Sequence, residues 1–149
     1  MKKSFKLLLA TGLVGISFAT TTVYVNTSTP NTSVAYAMSK QAKIDKAVSI
    51  MQDNYDDEAD VYYDKENDVI AIKPTTQEFE DETIAVLDGD ISKSDWHELT
   101  DSIDELSKTI YEDLHIKTPL ALVNPESSDK VLYMSYDGVG AYDVMDEDN

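Results

Sequence analysis

The sequence predicts an α+β fold in which two αββ-like units form one antiparallel sheet with helices packed on one face. Three observations predict it. Apolar residues recur at helical spacing over 38–55 and again over 96–114, two extended β-branched and aromatic runs follow each helix, and a third short run follows the second pair. Helix, strand, strand therefore occurs twice, which reads as a duplication of elements more than of residues. About 110 residues suffice for one hydrophobic core and rarely for two, so residues 38–149 form a single domain, divided into a first unit (38–74), a connector (75–93) and a second unit (94–145).

In the first unit Ile44, Val48, Met51 and Tyr55 fall four, three and four residues apart, on one face of a helix. The runs "DVYY" and "DVIAIK", separated by the polar "DKEN", read as a hairpin, and Pro74 closes the unit. The connector "TTQEFEDETIAVLDGD" is open between a short helix through Phe79, Thr83, Val86 and Leu87 and a strand through "TIAVL"; Asp88-Gly89 ends either one. In the second unit Ser94 is the expected N-cap of a helix whose buried face is Trp96, Leu99, Ile103, Leu106, Ile110 and Leu114. The strands "PLALV" and "KVLYMSY" follow, split by the turn-forming "NPESSD", and Asp137-Gly138 returns the chain into "GAYDVM".

Ahead of the domain, Lys2, Lys3 and Lys6 precede an uncharged run whose apolar centre is Leu7–Ala19, the arrangement of a secretory signal. Small residues at Ala35 and Ala37 place cleavage after Ala37, with the position after Ala19 as second choice. A retained anchor is the competing reading, and Gly12, Gly15, Ser17 and Thr20–Thr22 make the run a poor membrane-spanning helix. The chain has no cysteine, hence neither a lipidated cysteine nor a disulfide framework. The expected location is extracellular, with free release or loose retention at the cell surface.

Charge narrows the partners. The whole chain carries −17, which becomes −20 once Lys2, Lys3 and Lys6 leave with the leader, and there is no arginine. So negative a surface repels phosphate backbones and anionic headgroups, which excludes nucleic acid and anionic membranes as partners. A basic extracellular protein or a cation remains.

Two acidic segments match calcium geometry in part. An EF-hand loop needs acids at alternate positions, glycine at the sixth and glutamate at the twelfth. From Asp64, Glu66 and Asp68 occupy the first three ligand positions, but Val69 and Thr75 stand at the sixth and twelfth; from Asp88, Asp90 fits the third, but Lys93 and Leu99 fail in the same way. These five acids are the weak metal candidates, and calcium-binding at the cell surface is the alternative function. A second alternative, a small metal-dependent hydrolase, rests on "HELTD" (His97–Asp101), a partial H-E-x-x-H in which Asp101 replaces the second histidine. No nucleophile elbow or phosphate loop occurs, so no catalytic residues and no cofactor are assigned.

Strand alternation puts Tyr62 and Tyr133 on the sheet face away from the helices, where tyrosine supplies contact area with a polar tip. They are the expected partner-binding residues. Finally, "SDWHELTDSIDELSKTI", "LVNP" and "DKVLYMSYDGVGAYD" together resemble the C-terminal half of small uncharacterised exported proteins of Gram-positive bacteria, over residues 94–143. The resemblance implies export and a compact fold, and it transfers no activity. The functional expectation is a secreted, highly acidic, non-enzymatic interaction protein that engages, or inhibits, a basic extracellular partner.

Overall fold

The computed structural model describes residues 38–146; the expected leader, its cleavage site and the last three residues lie outside them. Helix α1 (Lys40–Tyr55) starts at Ser39, whose hydroxyl accepts from the Ala42 amide at 3.1 Å, and it buries Ile44, Ala47, Met51 and Tyr55. Strands β1 (Ala59–Asp64) and β2 (Val69–Pro74) form the expected hairpin, paired antiparallel from Ala59↔Pro74 to Asp64↔Val69. Its tip is built by its own acids. Asp64 accepts from the Glu66 and Asn67 amides and from the Asn67 side chain, while Asp68, at a φ of 53°, accepts from Lys40 and from the Tyr63 hydroxyl.

The ambiguous connector is helical. Helix α2 (Gln77–Asp88) is capped by Thr76, carries Glu78 and Glu80 in its first turn, and ends at Gly89 in the left-handed conformation that glycine adopts without steric cost. Helix α3 (Lys93–Leu114) buries the whole predicted stripe from Trp96 to Leu114. Its cap is Ser92 rather than Ser94: the Ser92 hydroxyl accepts from the Asp95 amide at 3.1 Å, so the helix begins two residues earlier than expected. Burying an aliphatic side chain of this size contributes about 1.5–3 kcal/mol, which outweighs the seven carboxylates that α3 carries on its other faces.

Strands β3 (Leu120–Asn124), β4 (Ser127–Tyr136) and β5 (Val139–Asp143) follow, and a 3₁₀ turn (Val144–Asp146) ends the described chain. Asp137 and Gly138 both have positive φ, as a two-residue hairpin turn requires. The sheet order is β1-β2-β3-β4-β5, and the helices pack against it, so the α+β class holds. One junction departs from the expected antiparallel sheet. Pairing within each half is antiparallel, but β2 and β3, which join the halves, run parallel. Two helices now lie between these strands, and the crossover returns the chain to the end at which β2 began. The second hairpin consequently runs in the opposite sense to the first, so the second unit is not a shifted copy of it.

One large core fills the space between helices and sheet, with Ile70, Ile72, Leu120 and Leu122 supplied by the two central strands. The opposite sheet face holds a smaller cluster of Val69, Ala71, Ala121 and Val123, flanked by Tyr62, Val131 and Met134.

An acidic cleft beside the last strand

His97, Thr100, Asp101 and Asp104 lie three, one and three residues apart, which puts them on one side of α3, adjacent to its buried stripe. Facing them are Tyr133 of β4, Gly140 to Asp143 of β5 and Asp146 of the final turn. Between these two walls is a cleft of about 510 Å³ lined by four aspartates, two tyrosines and one histidine, with no lysine among the lining residues.

Core packing fixes the walls. Trp96 is fully buried and meets the Tyr133 ring edge-on, with centroids 6.5 Å apart and planes at 88°. Its indole nitrogen donates to Asp143 Oδ1 at 2.9 Å, and the Met145 amide donates to the same oxygen at 2.9 Å. The Tyr133 hydroxyl donates to Asp104 Oδ1 at 2.8 Å. Burial first, and then the Asp104 carboxylate, raise the Tyr133 pKa far above that of a free phenol, so at neutral pH the group is a fixed hydrogen-bond donor. Gly140 makes room for it. A β-carbon there would collide with the Tyr133 hydroxyl and lie 3.1 Å from Cζ.

The cleft therefore holds Asp104 and Asp143 in place by one hydrogen-bond donor or more each, while Asp101 and Asp146 are exposed at its mouth. Such a set accepts hydrogen bonds from an ammonium or a guanidinium group and favours positive charge. Among the described residues, no three histidine or acidic side chains converge closely enough to hold a metal ion.

The metal candidates are not brought together. Asp64, Glu66 and Asp68 sit at the β1–β2 tip, where Asp64 is held by backbone and Asn67 donors and Asp68 forms an ion pair with Lys40 at 2.7 Å. Both carboxyl pKa values lie below the usual range, Asp64 because of the Asn67 hydrogen bond and Asp68 because of Lys40 and then Tyr63. Asp88 ends α2 and Asp90 follows it, exposed, with its amide donating to the Ala85 carbonyl. Of "HELTD", His97 and Asp101 line the cleft and Glu98 does not. The second histidine, His115, caps the far end of α3, about 27 Å along the axis from His97 at 1.5 Å per residue.

The two tyrosines part company. Tyr62 stands on the helix-free face as expected, at one end of a row that crosses every strand: Tyr62, Ala71, Ala121, Met134 and Tyr142 are paired in sequence from β1 to β5. Tyr133 is corrected to the helix side, 5% exposed. Register shifts in the β3–β4 ladder around Val123 break strict alternation, so that Leu132 and Tyr133, neighbours in sequence, both enter the main core. Tyr133 nevertheless lines the cleft. Asp143 and Asp146 escaped sequence reasoning because their partners are some forty residues away on α3. No protein-family model matches the chain, and no curated protein or solved structure matches it significantly.

Proposed function

We propose that this is a secreted, non-enzymatic binding protein whose acidic cleft receives a lysine or arginine side chain of a basic extracellular protein. The observation that carries the reading is the cleft itself: Asp101, Asp104, Asp143 and Asp146 around one cavity, with Trp96 and Tyr133 fixing two of them. The −20 of residues 38–149 adds long-range attraction that speeds encounter with a basic partner and weakens with salt. Export rests on the leader pattern, with cleavage after Ala37. Blocking a basic surface is how such a protein would inhibit its partner.

Amide chemical-shift mapping tests the site. Titration of the ¹⁵N-labelled protein with a short lysine peptide is expected to shift Thr100, Asp104, Gly140, Ala141 and Tyr142 along one saturable curve. Shifts spread evenly over the acidic surface, without saturation, would mean that only the overall field attracts cations and that the cleft is not a site.

A further inference from the structure

The sheet has two outer edges, and they are finished differently. At β1 the Gln52 side chain closes the edge: its amide nitrogen donates to the Ala59 carbonyl at 2.9 Å and its oxygen accepts from the Val61 amide at 2.8 Å, which reproduces the bonds of a neighbouring strand. Asp60 and Asp64 add charge to the same strand. At β5 the one charge, Asp143, is engaged by the Trp96 indole and the Met145 amide. Among the described residues no strand pairs with its outer side, Val139, Gly140 and Ala141 are exposed, and Val139 is 67% exposed. The run Val139–Tyr142 contains no proline, lysine or other charge of the kind that discourages edge pairing. An edge exposed over Val139–Ala141 is a template for an added strand.

This edge is also a wall of the cleft, to which Gly140, Ala141, Tyr142 and Asp143 all contribute. We infer that β5 takes an extended segment of the basic partner as a sixth strand, with lysine or arginine side chains at alternate positions entering the cleft. The inference rests on the cleft being a site for basic groups, and it adds how the partner is presented. The dimensions agree. Side chains on one face of a strand recur every ~6.8 Å, so a segment matching the five residues of β5 places two or three of them on the helix side. Backbone pairing would hold the segment, and the aspartates would select its side chains.

The test uses an acetylated, amidated Lys-Val-Lys-Val-Lys peptide and two N-methylated forms of it that are isomers of equal charge, one methylated at the third and fifth backbone amides and one at the second and fourth. Affinities are measured by calorimetry at fixed ionic strength. A strand pairs through only one of its edges, so one isomer is expected to bind roughly tenfold more weakly than the parent and the other about equally, because the hydrogen bonds lost are confined to one set of amides. Asp101→Asn with Asp104→Asn is expected to weaken the parent by at least a similar factor. Equal behaviour of the two isomers, whether no loss or the same loss, overturns strand addition. If the aspartate variant still weakens binding in that case, the cleft reading survives alone; if the variant is also neutral, or the parent does not bind, both readings fall.

Discussion

Gly140→Ala is expected to destabilise the protein through Tyr133 and through nothing else. Gly140 does not occupy the left-handed region, so alanine is compatible with its backbone, and the cost is steric. The added β-carbon meets the Tyr133 hydroxyl and lies 3.1 Å from Cζ, while the Trp96 ring on one side and Asp104 on the other leave the phenol little room to retreat. Overpacking of this kind costs about 2 kcal/mol. Tyr133→Phe alone removes one hydrogen bond to a half-exposed carboxylate and costs about 1 kcal/mol. In the double variant the colliding oxygen is gone, so the total is expected near ~1.5 kcal/mol rather than the ~3 of independent effects. Urea unfolding of the four proteins measures this, with the coupling read from midpoints at constant slope. Additive losses, or a neutral Gly140→Ala, would refute the contact as the reason for glycine at this position.

Other perturbations separate the remaining claims. Gln52→Ala strips three backbone partners, Asp56, Ala59 and Val61, and should cost about 2–3 kcal/mol with faster hydrogen exchange at Val61. Ser92→Ala should lose about 1 kcal/mol of stability in thermal melts, whereas Ser94→Ala should be nearly neutral, since only Ser92 accepts from the Asp95 amide. The lowered Asp68 pKa gives stability that is present above the unfolded-state value near 4 and is lost as pH falls through the folded-state value; Asp68→Asn should flatten the acid limb of a pH–stability curve below about pH 4. Tyr62→Ser, on the helix-free face, should leave cleft binding unchanged when measured with a lysine peptide, because Tyr62 lies on β1, three strands away from β4 and the cleft.

Much of the fold was legible because local rules decided it. The stripe from Trp96 to Leu114, the hairpin at Asp64–Asp68 and the Asp137-Gly138 turn depend on spacing and turn chemistry within a few residues. The parallel junction was not legible, since it depends on the connector becoming a helix and lengthening the crossover. Tyr133 was misplaced for a related reason: alternation assumes an unbroken ladder, and the irregularity near Val123 appears only when β3 and β4 are paired. Of the cleft, His97 and Asp101 were visible through the partial H-E-x-x-H on a strong helix, and Asp104, one turn on, was not singled out. Nothing local connects them to Asp143 and Asp146, which arrive through the sheet. Conversely, Asp64, Glu66 and Asp68 read locally as part of a cation site, whereas Asp64 and Asp68 are spent on holding a hairpin tip and an ion pair.

The central claim is that a local site, and not the overall charge, binds basic groups, and a charge-matched comparison tests it most directly. Asp101→Asn with Asp104→Asn alters the cleft, while Asp53→Asn with Asp57→Asn removes the same charge from exposed positions outside it. Calorimetric titration of both double variants with one lysine peptide, at one ionic strength, should show the first pair losing about tenfold in affinity and the second losing less than about twofold. Equal losses from the two pairs would contradict the account and leave only the general field of an acidic protein.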